Sequence, residues 1–179
     1  MAIDGQPTDR QKIHHDLERV RADLHHLVER ATTADLRRRT NGTRWTNGQM
    51  LWHMAFGFLI VRRLLPLVGL FSRLPDPFNR TFAAVLNAGT RPFHVVNYIG
   101  SVGGALVFHG SRLTRQLDHT IDLLHRRLDD ESEAALGRRM HFPVGWDPFF
   151  RDIMALEQVY AYGAQHYDFH RAQLTLEQA

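Results

Sequence analysis

The chain contains no cysteine and only one lysine, Lys12. Without cysteine, the protein has no disulfide, no thiolate metal ligand and no thiol nucleophile of its own, and a cytoplasmic location is allowed. Any thiol chemistry would need a thiol that binds from solution. The sequence also shows no glycine-rich phosphate loop, no Ser-His-Asp ordering and no paired-carboxylate motif, which disfavours hydrolysis through a covalent protein intermediate.

A hydrophobic run long enough to cross a membrane without interruption is also missing. The most apolar region, residues 50–71, is interrupted by two arginines, His53 and Pro66, which favours a buried helix over a bilayer span. Residues 1–8 are polar, and we do not expect a secretory signal there. We therefore expect a cytoplasmic protein with no stable membrane insertion.

The chain also has little excess charge of either sign, because the formal net charge of its 179 residues is only +3. The basic residues alternate with Asp and Glu on predicted helix faces, which is typical of a solvated surface and not of a phosphate-binding stripe. We expect no nucleic-acid partner. The length and the 44% hydrophobic content fit a single globular domain over residues 1–179.

Hydrophobic periodicity predicts four main helices. The first begins at Thr8 and the second at Thr46, each with a capping-box sequence, and Pro66 should kink or end the second helix nearby. The fourth is expected from the Asp147-Pro148 pair to about Leu174. Apolar seams mark the first helix (Ile13, Leu17, Val20, Leu24, Leu27) and the third (Leu106, Leu113, Leu117, Ile121, Leu124, Leu128).

These helices indicate an all-α fold, an antiparallel four-helix bundle with a long connection between the second and third helices. In that connection we predict a short helix from about Pro77 to Leu86, capped by Asp76 and ended by Gly89. Irregular chain or a weak helix should follow, because prolines and glycines recur there. The phenylalanines of the region are more typical of core or dimer contacts than of membrane contacts (Phe71, Phe78, Phe82, Phe93).

Two histidines, His166 and His170, lie one helical turn apart on the predicted fourth helix. This spacing stacks the imidazoles on one face, where both can reach one metal ion and leave other coordination positions open. Twelve histidines in 179 residues would give roughly one such pair by chance. Whether this pair is a metal site therefore depends on where it lies on the helix. Both histidines continue apolar stripes of the helix and can face inward, which makes the pair a candidate metal site.

Two glycines lie next to histidines on the predicted helices. Gly57 follows His53 by one turn on the buried side of the second helix, and Gly163 precedes His166 by about one turn. A glycine within a helix costs about 1 kcal/mol relative to alanine. Either these glycines make room beside the histidines for a metal, a water or a substrate, or they mark a close helix crossing.

Two segments resemble a known family. The residues from Trp45 to His53, WTNGQMLWH, resemble the start of the second helix of the DinB-like (DNA-damage-inducible) four-helix-bundle proteins. The residues from Gln165 to Leu174, QHYDFHRAQL, resemble the fourth helix of the same family. In helix order the resemblance extends from about residue 8 to residue 174.

The resemblance implies a divalent metal, often zinc or nickel, held by His53, His166 and His170 with open positions for water or substrate. It also implies a homodimer, and in some relatives a low-molecular-weight thiol is activated for transfer or isomerisation. Residues 73–104 depart from the minimal family pattern and could form a lid or a dimer surface.

Three further residues are candidates near this site. Gln49 lies one turn before His53, and Tyr162 lies one turn before His166, so each could orient a ring nitrogen. Gln49 also has the capping role, and Tyr162 could be a core residue. His109, near the seam of the third predicted helix, could be a ligand or an orienting residue.

Two classes of function lead at this point, ahead of a small-ligand regulator or a peripheral membrane protein. The first is a metal-dependent enzyme, a thiol-dependent transferase or isomerase or a hydrolase, that acts on a small molecule at the three-histidine site. The alternative is a non-enzymatic helical bundle that dimerises or binds a partner protein. A pocket reaching solvent beside the histidines would favour the enzyme.

Overall fold

A computed structural model describes residues 9–176 and shows a mostly helical protein. Its elements in chain order are α1 (Asp9–Arg30), α2 (Thr33–Arg37), α3 (Asn47–Phe71), α4 (Asp76–Ala88), α5 (Thr90–Val107), α6 (Ser111–Asp130), α7 (Glu133–Leu136), β1 (Arg139–His141), β2 (Ile153–Ala155) and α8 (Leu156–Arg171). The helical class is confirmed, although a small antiparallel sheet of β1 and β2 was not expected. The predicted cap at Thr8 lies outside the described residues.

The four longest predicted helices correspond to α1, α3, α6 and α8. Helix α1 packs against α6 and α8, and α3 packs against the same two helices, so all four contribute to one core. The predicted seam of α1 is buried throughout, and so is the seam of α6 from Leu113 to Leu128. The antiparallel order of four helices stays a prediction.

Helix α3 is the central helix of this core. It begins as predicted, because the Thr46 hydroxyl accepts from the Gln49 backbone N–H and the Gln49 side chain accepts from the Thr46 N–H. It passes through Pro66 and continues to Phe71, so the proline does not end it. By length and composition α3 could cross a membrane, but core helices of soluble proteins pass the same test, and part of it is buried here.

The connection between α3 and α6 contains more helix than the sequence predicts. For this stretch the sequence leaves irregular chain or a weak helix open, and the structure has the 18-residue helix α5, which runs through Gly100 and Gly104. The indole N–H of Trp52 in α3 donates to the Gly100 carbonyl over 3.1 Å, and a Cβ on Gly104 would overlap the indole nitrogen. Close packing against a tryptophan, and not a chain break, therefore requires glycine here.

Two more predictions for this region were wrong. Asp76 does not cap α4, because Pro75 is the cap residue and the Asp76 carboxylate contacts Arg80 and His141 instead. Leu106 belongs to the end of α5, where it is 78% exposed, and not to the seam of α6. The phenylalanines of this region differ in their environment: Phe71 stacks on Phe82 at a ring distance of 3.9 Å, whereas Phe78 is exposed.

The hairpin of β1 and β2 changes the start of the last helix. We predicted that Asp147-Pro148 begins this helix, but α8 begins at Leu156, where the Gln158 side chain accepts from the Ala155 N–H. Asp147 instead closes a turn, because its carboxylate accepts from the Phe149 N–H at 2.9 Å. The loop between β1 and β2 thereby carries Asp147 towards the core.

Candidate metal centre

The structure brings His53, His166 and His170 together. His53 comes from α3 and the other two from successive turns of α8, which packs against α3. One ring nitrogen from each of the three histidines lies within 4.8 Å of the others. His53 and His166 are buried, and His170 is half-buried. Three imidazoles on two adjacent helices thus form a cluster at the core's edge.

The hydrogen bond of Ser101 determines which nitrogen of His53 faces the cluster. The Ser101 hydroxyl donates to the Asn97 carbonyl over 2.7 Å and lies 3.0 Å from His53 Nδ1. With its single hydrogen donated to Asn97, the hydroxyl can only accept from His53, so this arrangement puts the hydrogen of His53 on Nδ1. The lone pair of His53 then lies on Nε2, which points at the other histidines.

His170 is oriented in the same way by Gln173. Its Nδ1 lies 2.7 Å from Gln173 Oε1, an acceptor, so Nδ1 carries the hydrogen and Nε2 the lone pair. The Nε2 atoms of His53 and His170 are 3.3 Å apart. Two nitrogens bound tetrahedrally to one zinc ion would be separated by about 3.3 Å, given zinc–nitrogen bonds of about 2.0–2.1 Å. The pair therefore fits a shared ion.

His166 completes the cluster with an unsatisfied nitrogen. Its Nδ1 is buried and has no hydrogen-bond partner in the described part of the chain. Its Nε2 lies 3.9 Å from the Asp147 carboxylate, which is too long for a hydrogen bond. Buried polar atoms without partners are rare in native proteins, and an ion is one way to satisfy them.

Burial keeps all three imidazoles neutral. Desolvation lowers the pKa of His53 well below its ordinary value, and the neighbouring histidines lower it further. Desolvation, together with the His170 charge, lowers the pKa of His166 to about 3. The pKa of His170 is also lowered by burial, against the opposing effects of Gln173 and Asp147. Neutral imidazoles are the form that binds metal, so no proton has to be displaced near pH 7.

The two glycines have different roles. A Cβ on Gly57 would lie 2.9 Å from His166 Nδ1, so this glycine makes room for the His166 ring. A Cβ on Gly163 would lie 2.7 Å from the ring of Phe58. Gly163 thus permits the close crossing of α3 and α8 and faces Phe58 instead of the histidines.

Of the three residues suggested around the site, Gln49 and Tyr162 take the alternative roles of cap and core residue, and His109 lies away from the histidines. Gln49 remains in its capping position, and the partner of His53 is Ser101. The Tyr162 hydroxyl donates to the Asp147 carboxylate over 2.8 Å, so it contacts His166 only by its ring, at a centroid distance of 5.6 Å. His109 is exposed between α5 and α6 and does not belong to the cluster.

Sequence reasoning missed Ser101, Gln173 and Asp147. Gln173 lies three residues after His170, a spacing that could have suggested its role. Ser101 and Asp147 lie in segments whose structure was not predicted correctly, so no sequence spacing connects them to the histidines. Trp45 packs over His53 at a ring distance of 4.3 Å, a contact that the sequence does not predict.

A small cavity of about 40 Å³, partly open to solvent, adjoins His53, Gly57 and His166. Its other walls come from α3, α5, α8 and the loop between the strands (Phe56, Ile60, Leu64, Phe93, Asn97, Trp146, Asp147, Phe150, Tyr162). A larger groove lies between α1 and α8 but contains none of the three histidines. The cluster therefore has an accessible space beside it.

Comparison with known proteins gives one match. The sequence model of the DinB superfamily matches residues 16–174, a range that includes the three histidines. No curated protein and no solved structure matches the chain.

Proposed function

Because the chain belongs to the DinB superfamily, which is metal-binding in general, we propose that it binds one divalent ion, zinc or nickel, through His53, His166 and His170. The observation that carries this proposal is the facing pair of Nε2 atoms of His53 and His170, 3.3 Å apart. The Nδ1 hydrogen of His53 is donated to Ser101 and that of His170 to Gln173. The two Nε2 lone pairs therefore face and repel each other unless a cation lies between them.

The chemistry that such an ion supplies is Lewis acidity, which lowers the pKa of a bound water or thiol. His53, His166 and His170 would each donate a neutral nitrogen to the ion, so its positive charge would not be neutralised by its protein ligands. Trp45 covers one side of His53, and the cavity gives a small molecule access to the other side.

We infer a cytoplasmic enzyme that acts on a small molecule by transfer, isomerisation or hydrolysis. The small cavity beside the cluster leaves space for a water or a small reacting group at an ion, which supports an enzyme over a closed structural ion site. Since the chain has no cysteine, a thiol-dependent reaction would use a low-molecular-weight thiol as cosubstrate.

The alternative, a dimerisation or partner-binding role, is supported by one face of α5. Four aliphatic residues of this helix are each more than half exposed: Val95, Val96, Ile99 and Leu106. No charged residue occurs from position 92 to position 108, so two copies of this face could meet without like-charge repulsion. We propose that the chain forms a homodimer through this face, which is compatible with the metal site.

The test of the metal proposal is the metal content of tag-free protein purified without chelator, measured by elemental mass spectrometry. We expect about one ion per chain in the wild type, and its loss in His53→Ala, His166→Ala and His170→Ala at unchanged helix content. His109→Ala, which removes an exposed histidine, is the matched control and should keep the ion. Full metal content in all three cluster variants, or none in the wild type after zinc or nickel reconstitution, would refute the proposal.

A further inference from the structure

A buried carboxylate lies next to the three histidines without a cation beside it. The Asp147 side chain is only 14% exposed, and in the described part of the chain its one ion-pair contact is with His166 Nε2, at 3.9 Å. Burial lowers the pKa of His166, so this neighbour is neutral near pH 7. Such a carboxylate is costly to the fold, because neither water nor an opposite charge compensates it.

The hydrogen bonds of this carboxylate come from neutral groups. Its Oδ1 accepts from the Phe149 N–H over 2.9 Å, and its Oδ2 accepts from the Tyr162 hydroxyl over 2.8 Å. Burial and the adjacent carboxylate raise the pKa of Tyr162, so its hydroxyl remains a donor. These two bonds orient the carboxylate but leave its charge in place, and each oxygen keeps a free lone pair.

The loop that carries Asp147 is attached to α4 by contacts that do not involve the carboxylate. The Trp146 indole N–H donates to the Leu86 carbonyl over 2.8 Å, and the Gly145 N–H donates to Asn87 Oδ1 over 2.9 Å. An uncharged side chain at position 147 would leave both of these bonds in place. The fold therefore keeps a charge beside the histidines at a position that the neighbouring contacts determine.

Asp147 lies outside the set of atoms that could bind one ion directly. Among the described residues, the set of ring nitrogens and carboxylate oxygens within 4.8 Å of one another consists of His53, His166 and His170. The cavity of about 40 Å³ has Asp147, His53 and His166 in its wall, and this is room for roughly one to three water molecules. A water-sized group in this cavity can contact both the carboxylate and the histidine cluster.

From these observations we propose that Asp147 is the anionic partner of the ion. Its carboxylate balances part of the ion's charge and accepts the hydrogen of the water or thiol that takes the ion's open position. Asp147 is thus a positioning residue that acts through this hydrogen bond, and not a fourth protein ligand. The inference rests on the proposed metal site, because the charge to be balanced is that of the ion.

The electrostatics of the site favour this pairing. Three neutral imidazoles leave a divalent ion with both of its positive charges. A carboxylate a few ångströms away attracts that ion in buried surroundings that screen charge weakly. The ion in turn supplies the opposite charge that Asp147 lacks in the described part of the chain.

The zinc affinity of Asp147→Asn tests this role. The substitution removes the charge but keeps the loop, because the asparagine Oδ1 still accepts from the Phe149 N–H and its Nδ2 donates to the Tyr162 oxygen. We expect unchanged helix content by circular dichroism. Zinc should bind about 10–100-fold more weakly, as measured by competition with a chromophoric chelator.

Copper(I) separates a loss of charge from a displacement of the histidines. It also binds imidazole but carries a single charge, so the attraction of Asp147 for it is about half as large. A loss of about a hundredfold for zinc in Asp147→Asn should therefore accompany a loss of only about tenfold for copper(I), measured anaerobically. Displaced histidines would instead weaken the binding of both ions alike.

The control is Asp130→Asn, which removes an exposed carboxylate at the end of α6 and should leave both affinities unchanged. An unchanged zinc affinity in Asp147→Asn, or equal losses for the two ions, overturns the inference while the metal proposal stands. Metal analysis of the same samples distinguishes the two proposals, because wild-type protein that takes up no zinc refutes the metal site itself.

Discussion

Replacing Gly57 by alanine tests whether this glycine is present for the metal site. The new Cβ would lie 2.9 Å from His166 Nδ1 and 3.2 Å from its Cε1, against ordinary contacts of about 3.5–4.0 Å. The His166 ring would have to move by roughly half an ångström or more. The rings of His53, His170 and Tyr162 surround it at 4.5–5.6 Å, so it has little freedom to do so.

The expected magnitudes make metal affinity the informative quantity. Alanine gains about 1 kcal/mol over glycine in a helix, whereas overpacking a core costs about 1–3 kcal/mol. The free energy of unfolding of Gly57→Ala should therefore fall by no more than about 2 kcal/mol. Displacing a ligand ring should weaken zinc binding by about 10–100-fold, the range known for residues that orient metal ligands.

Two glycines of the same helix pair serve as controls. Gly69→Ala, also in α3, places its Cβ where no atom lies within 4 Å, so it should gain about 1 kcal/mol and leave zinc affinity unchanged. Gly163→Ala would contact the buried Phe58 ring at 2.7 Å and should lose stability without a comparable loss of zinc affinity. Urea denaturation and competition with a chromophoric chelator measure the two quantities. Wild-type zinc affinity in Gly57→Ala would refute the proposed role of this glycine.

Three other outcomes are expected. In chelator-treated protein, folding lowers the His166 pKa from 6.5 to about 3, so the unfolded state binds more protons between these values and stability falls as the pH drops. The free energy of unfolding should lose about 2 kcal/mol from this residue between pH 7 and pH 5, which urea denaturation measures. This loss should be absent from His166→Leu, and a pH-independent difference in stability between the two proteins would contradict the prediction. Ser101→Ala leaves His53 Nδ1 without its acceptor and should reduce zinc affinity about 10–100-fold at unchanged helix content, whereas unaltered affinity in chelator competition would show that Ser101 does not orient the ring. Val96→Glu combined with Ile99→Glu should give a monomer by light scattering if α5 forms the dimer contact, and a wild-type dimer that survives both changes would place the contact elsewhere.

The sequence predicted those elements whose signals are local. A seam such as that of α1 and a cap such as Thr46 depend on residues within a few positions of one another, and both agree with the structure. The pair His166 and His170 has the same local character, since helix geometry alone places the rings on one face.

The remaining features depend on contacts between distant segments. The glycines of α5 weakened the helix prediction there, because the sequence does not show that Trp52 packs against Gly104. Asp147 has the sequence context of a helix cap, but pairing of β1 with β2 puts it in a turn. Gly163 and Gly57 look equivalent in sequence. Only the side chain that each faces on the opposite helix shows that Gly163 permits a close helix crossing and that Gly57 makes room for the His166 ring.

The orientation of the imidazoles also has an energetic consequence for the metal-free protein. Turning the His53 ring by half a rotation would remove the facing lone pairs but would leave the buried Ser101 hydroxyl without its donor. Protonating a ring instead would put charge in a site where burial lowers the pKa of all three histidines. Both changes cost free energy, so the metal-free folded protein keeps the repulsion between the facing lone pairs. A cation that binds only the folded state removes this repulsion. Metal binding should therefore raise the free energy of unfolding by RT ln(1 + [metal]/Kd), and chelation should lower the unfolding midpoint.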